Sequence, residues 1–60
     1  MKTDLALRLF RSAEAAVQYQ FPHLPDKQSA EMILDELLRR YGKQMAEEII
    51  ESVIEYESNE

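Results

Sequence analysis

Apolar residues recur along most of this chain at the three- and four-residue steps of an α-helix, and the pattern breaks clearly only at Phe21–Pro25 and at Gly42. Ala30, Ile33, Leu34, Leu37, Leu38 and Tyr41 keep the i, i+3, i+4, i+7 rule without a miss, which predicts one amphipathic helix over 26–41. Asp35 to Arg39 and Glu36 to Arg40 are acid-to-base pairs four apart, each adding about 0.2–0.5 kcal/mol to a helix. Arg39 and Arg40 also sit in the expected last turn, where the helix dipole favours positive charge. Gly42, the only glycine, follows as the residue that ends the helix. Met32 falls off the stripe, between Glu36 and Arg39.

A second pattern follows at once and predicts a helix over 43–57. Ala46, Ile49, Ile50 and Val53 form its centre line, with Met45 and Tyr56 on one flank and Ile54 on the other. The apolar arc spans roughly 180°, against the roughly 100° that a surface helix needs. A single neighbour cannot cover so wide an arc. Either both other helices pack on it, or a second copy of the chain covers the remainder.

The N-terminal segment is more ambiguous. Leu5, Ala6, Leu9, Phe10, Ala13, Ala16 and Val17 share one arc of a helical wheel, with Arg8, Arg11, Glu14 and Gln18 opposite. Leu7 stands apart, among Arg11 and Glu14. Yet Leu5–Leu9 and Val17–Phe21 also alternate at period two, a strand signature. Ala6, Ala13, Ala15 and Ala16 favour helix, since alanine is the best helix former and poor in strands, and leave 17–21 open between strand and helix end. A helix over 4–20 is expected, with Thr3 or Asp4 as its cap. Pro22 and Pro25 forbid continuation, Phe21 and Leu24 are expected to fold back onto the core, and Asp26 can cap the next helix. The tail 57–60 is expected to fray.

The reading is therefore all-α: a small three-helix bundle, a single domain over 1–60. A chain of this length buries only about 60% of the surface that its unfolded form exposes, so a lone core is marginal. Disulfides, a metal or a second copy are the usual remedies. There is no cysteine and only one histidine, His23. Completion by homodimerisation is the expectation that remains, with Leu7, Met32, Met45, Ile49, Val53, Ile54 and Tyr56 as candidate residues of an apolar interface.

Charge sharpens the picture. The net charge is −5. All of it belongs to the third helix and its tail, where Lys43 stands against Glu47, Glu48, Glu51, Glu55, Glu57 and Glu60, while the rest of the chain is balanced. Glu47, Glu51 and Glu55 lie at i,i+4 spacing with Glu48 beside them. This ridge is an ordinary solvated face or a surface for a partner with a basic surface. No uninterrupted apolar stretch approaches the roughly 20 residues that span a bilayer, and the chain reads as cytoplasmic, without a membrane.

Candidate chemistry is thin. A di-iron bundle needs Glu-x-x-His on facing helices, and His23 lies in the proline turn, so no metal site is expected. A single glycine gives no phosphate-cradling loop. Ser12, Ser29 and Ser52 have no histidine on a helix with them. No catalytic residue and no cofactor is expected, and the chain reads as a non-enzymatic regulator, inhibitor or adaptor acting by protein–protein binding, of the kind a phage or plasmid would carry. Leu34–Gly42 and Glu48–Ile54 also loosely resemble the two helices of ribbon-helix-helix DNA-binding repressors and antitoxins. That resemblance implies Val17-Gln18-Tyr19-Gln20-Phe21 as the ribbon, with Gln18 and Gln20 at the bases. The segment lacks lysine and arginine and the Pro22–Pro25 turn intervenes, which makes nucleic acid the alternative partner. A helix-turn-helix with Gly42 in its turn would instead put Glu47 and Glu48 on the recognition helix, facing phosphate.

Overall fold

The structure, a computed structural model, describes residues 1–59 and contains three helices: α1 (Thr3–Gln20), α2 (Asp26–Tyr41) and α3 (Lys43–Ser58). There is no strand among the described residues. Val17–Gln20 continues α1, so the alternating segment follows the alanine-rich helix before it and forms no ribbon. Glu57 and Ser58, expected in a frayed tail, belong to α3, Asn59 forms its C-cap, and Glu60 lies outside the described residues.

The helix starts differ from expectation. Lys2 and Pro25 hold the N-cap positions of α1 and α2, and neither start carries a side-chain capping bond. Asp4 and Asp26 sit instead inside the first turns, where a carboxylate helps through the helix dipole rather than by bonding an orphan amide. At the proline turn the Phe21 N–H donates to Val17 O at 2.8 Å and the Leu24 N–H to Phe21 O at 3.3 Å. Leu24 is half-buried, whereas Phe21 stays 43% exposed instead of folding fully inward.

Gly42 alone joins α2 to α3. Its N–H closes the last turn of α2 on Leu38 O at 2.9 Å, and its carbonyl accepts the first bond of α3 from the Ala46 N–H at 3.0 Å. Serving two helices at once requires φ 88° and ψ 170°, a region essentially restricted to glycine.

Each helix packs on the other two, and α1 packs most extensively on α3. Both long dimensions of the 29 × 27 × 16 Å molecule match the roughly 27 Å length of an 18-residue helix. The bundle is flattened, about two helix layers thick. The core is small: Ala6, Ala13 and Val17 from α1, Ile33 and Leu37 from α2, and Ala46, Ile49 and Val53 from α3. Leu37 and Ile49 are its two large side chains that are completely enclosed. Leu9, Phe10, Met32, Tyr41, Met45 and Ile50 pack around its edge.

One rotation was not expected. Met32, placed by the stripe on the polar side of α2, is half-buried against the core, while Leu34 and Leu38 are 41% and 36% exposed. Glu36 turns partly inward with Met32 and takes both guanidiniums: Arg40 Nε donates to its Oε2 at 2.8 Å and Arg39 Nη2 to its Oε1 at 3.2 Å. Arg39 thus reaches Glu36 at three residues rather than Asp35 at four.

Candidate surfaces for a partner

The residues expected at an interface divide sharply by depth. Ile49 is fully buried and Val53 nearly so, which leaves both inside the fold of one chain. Met32 and Met45 are half-buried against the same core. Leu7 is also half-buried. Ile54 and Tyr56 remain open, at 57% and 41% exposure. The wide apolar arc of α3 is accordingly met by both α1 and α2, with its outermost members left over.

Other large apolar side chains join them on the surface: Met1, Leu5, Tyr19, Phe21, Leu34 and Leu38. Leu34 and Leu38 were hidden from sequence reading because they share the stripe of the buried Ile33 and Leu37. Nothing in a stripe says which part of it a neighbour will cover. The accessible surface of 4687 Å² also exceeds the roughly 4,000 Å² usual for a folded monomer of this mass.

The acidic ridge lies where the sequence put it. Glu47, Glu48, Glu51 and Glu55 are all exposed, on the side of α3 away from Ala46, Ile49 and Val53. Glu48, Glu51, Ser52 and Glu55 border a shallow hollow of about 220 Å³ together with Met1. Among the described residues no carboxylate of this ridge forms an ion pair, since both salt bridges belong to Glu36.

The bases gather elsewhere. Arg40 Nη1 donates to Ser12 Oγ at 3.1 Å, which draws the C-terminal end of α2, with Arg39 and Arg40, to the part of α1 that carries Arg8 and Arg11. All four arginines thus belong to the α1–α2 side of the molecule and none to α3. The hydrogen bond to Glu36 is the main reason that Arg40 holds its proton above the ordinary arginine value.

A cleft of about 310 Å³ opens between α1 and α2. Phe10, Ala30, Ile33 and Ile50 give it apolar walls, and Glu14, Gln18, Asp26 and Ser29 give it polar edges. Glu14 is half-buried there. Sequence reading had no means of finding this cleft, because Glu14 and Asp26 come from different helices and border one cleft only after the proline turn reverses the chain.

Fold and surfaces together define a class: a small three-helix protein with an acidic face on α3, exposed apolar side chains and a cleft beside α1 and α2. Set against known protein families, curated proteins and solved structures, the chain matches none. No helix among the described residues is long and apolar enough to cross a membrane.

Proposed function

We propose that the protein is a cytoplasmic, non-enzymatic regulator, inhibitor or adaptor that works by binding another protein, and that it does so as a homodimer. The observation that carries this reading is the inversion of its apolar side chains. Met1, Leu5, Tyr19, Phe21, Leu34, Leu38, Ile54 and Tyr56 are exposed, while Val17, Ile33, Leu37, Ile49 and Val53 are the only buried apolar side chains larger than alanine among the described residues. Isolated surface hydrophobes are normal; what supports association here is that eight large apolar side chains are exposed beside only five enclosed ones. Small chains commonly reach adequate stability through a second copy.

Ile54 and Tyr56, one on each flank of the apolar arc of α3, are the proposed contacts of the dimer. The acidic ridge on the outer side of α3 is proposed for a partner with a basic surface, where charge steers approach and selects partners more than it adds affinity.

Light scattering after size exclusion tests the first part. The expected mass is twice the 7.0 kDa of the chain, falling to one chain in an Ile54→Lys, Tyr56→Ser variant that keeps its helical circular dichroism. A mass of one chain at every concentration removes the dimer. The second part is tested by charge reversal of the ridge, developed in the Discussion.

A further inference from the structure

We infer that the cleft between α1 and α2 is a socket for an arginine side chain of the partner protein. The inference rests on the protein-binding reading above and gives it a place and a chemistry. The cleft's volume corresponds to about ten water molecules at liquid density. That space, open to solvent on one side, admits one long side chain.

Its lining fits a guanidinium in each part. Phe10, Ile33 and Ile50 supply apolar wall for the aliphatic stem, and the Phe10 ring can stack with the planar cationic head. Glu14 and Asp26 place two carboxylates at the edge, with Gln18 and Ser29 as further hydrogen-bonding groups. No lysine, arginine or histidine contributes to the lining. Neither acid has a salt-bridge partner among the described residues, so an incoming cation displaces none.

The contrast with the ridge is instructive. The hollow beside Glu48, Glu51 and Glu55 has almost no apolar wall. A cation there stays hydrated and gains little, as exposed ion pairs do. In the cleft the stem leaves water, and Glu14 is already partly withdrawn from it. A weakly hydrated guanidinium with fork geometry suits that setting better than the strongly hydrated ammonium of lysine.

The test titrates ¹⁵N-labelled protein with an acetylated, amidated, alanine-rich helical peptide that carries one arginine, and with its twin carrying citrulline, which has the same shape without the charge. The expected result is chemical-shift changes centred on Phe10, Glu14, Gln18, Ser29 and Ile33. Affinity should fall about tenfold or more with citrulline, and likewise with Glu14→Gln, the loss expected when a hydrogen bond between charged groups goes. Circular dichroism of the variant guards against a folding defect, and Asp26→Asn supplies a second variant on the other helix. Shifts confined to α3, equal binding of the citrulline twin, or no binding at all overturns the socket. A native protein partner that binds Glu14→Gln and Asp26→Asn as well as wild type also overturns it, while leaving the protein-binding reading intact.

Discussion

Arg40 Nη1 donates to Ser12 Oγ at 3.1 Å, the one hydrogen bond between side chains of different helices among the described residues. It ties the end of α2 to the middle of α1, and Arg40 keeps its other anchor on Glu36 of its own helix. Because the bond is exposed, water replaces it cheaply. Ser12→Ala should therefore lower the melting temperature slightly and leave helicity unchanged. Arg40→Ala should do more, since it removes the contacts to Ser12 and Glu36 together. Equal melting curves for both variants would show that the bond to Ser12 accounts for the whole role of Arg40.

The core tolerates far less. Leu37 and Ile49 are fully enclosed and have few large companions. Replacing a buried leucine or isoleucine by alanine costs about 2–5 kcal/mol, while a core in a chain this short rarely supplies more than about 3–5 kcal/mol. Leu37→Ala and Ile49→Ala should each abolish cooperative urea unfolding at low protein concentration. Leu34→Ala, one turn away but 41% exposed, should keep a sigmoidal transition. A cooperative Leu37→Ala variant would mean that stability comes from elsewhere, an association surface above all.

That contrast between Leu34 and Leu37 marks how far the sequence could be read. The helix ends were legible because each has a local cause: the two prolines after Phe21, and the glycine that closes α2 and opens α3. Val17–Gln20 stood open between strand and helix end, because its period-two pattern competes with the alanines before it; the structure continues the helix through it. The rotation of α2 was not. A stripe of Ala30, Ile33, Leu34, Leu37, Leu38 and Tyr41 is wider than the contact it makes, and the covered part depends on where α1 and α3 cross. Met32 turned inward against the core, and Glu36, on the same side of α2, pairs with Arg39 and Arg40. The acidic ridge could be placed from sequence alone, since same-face spacing on one helix is a local property. The cleft, assembled from three helices, could not.

Gly42 offers a test of backbone strain separated from packing. A Cβ added there would meet no heavy atom within 4 Å, so any cost of substitution comes from φ 88° and ψ 170°. Gly42→Ala should destabilise the protein by about 1–3 kcal/mol. Asparagine should rescue little, because its tolerance extends to the left-handed helical region with ψ near 30–60° and not to this one. D-alanine, whose allowed regions are the mirror image, should restore or raise the stability of a chemically synthesised chain. Loss of stability with D-alanine equal to that with L-alanine would refute strain as the cause, and thermal melts of the three chains decide it.

Charge reversal on α3 should move stability and binding in opposite directions. Glu47, Glu51 and Glu55 are like charges at four-residue steps, a repulsion of about 0.2–0.5 kcal/mol per pair on a helix surface. Glu51→Lys converts both pairs into attractions at once, and the favourable order, acid before base, holds for Glu47 with the new lysine. All three positions are exposed and none contributes to the core, so packing is untouched. The melting temperature should rise slightly and the helical spectrum should persist. If the ridge steers a basic partner, the same change should slow association and flatten its salt dependence, with smaller effect on dissociation. Reversal of all three glutamates should deepen the kinetic effect. Stopped-flow or surface-based kinetics over a range of salt, run beside thermal melts, separates the two consequences. A gain in stability with unchanged association would leave the ridge as a solvated face and move recognition to the apolar residues and the cleft. A fall in stability would show that the glutamates make contacts of their own.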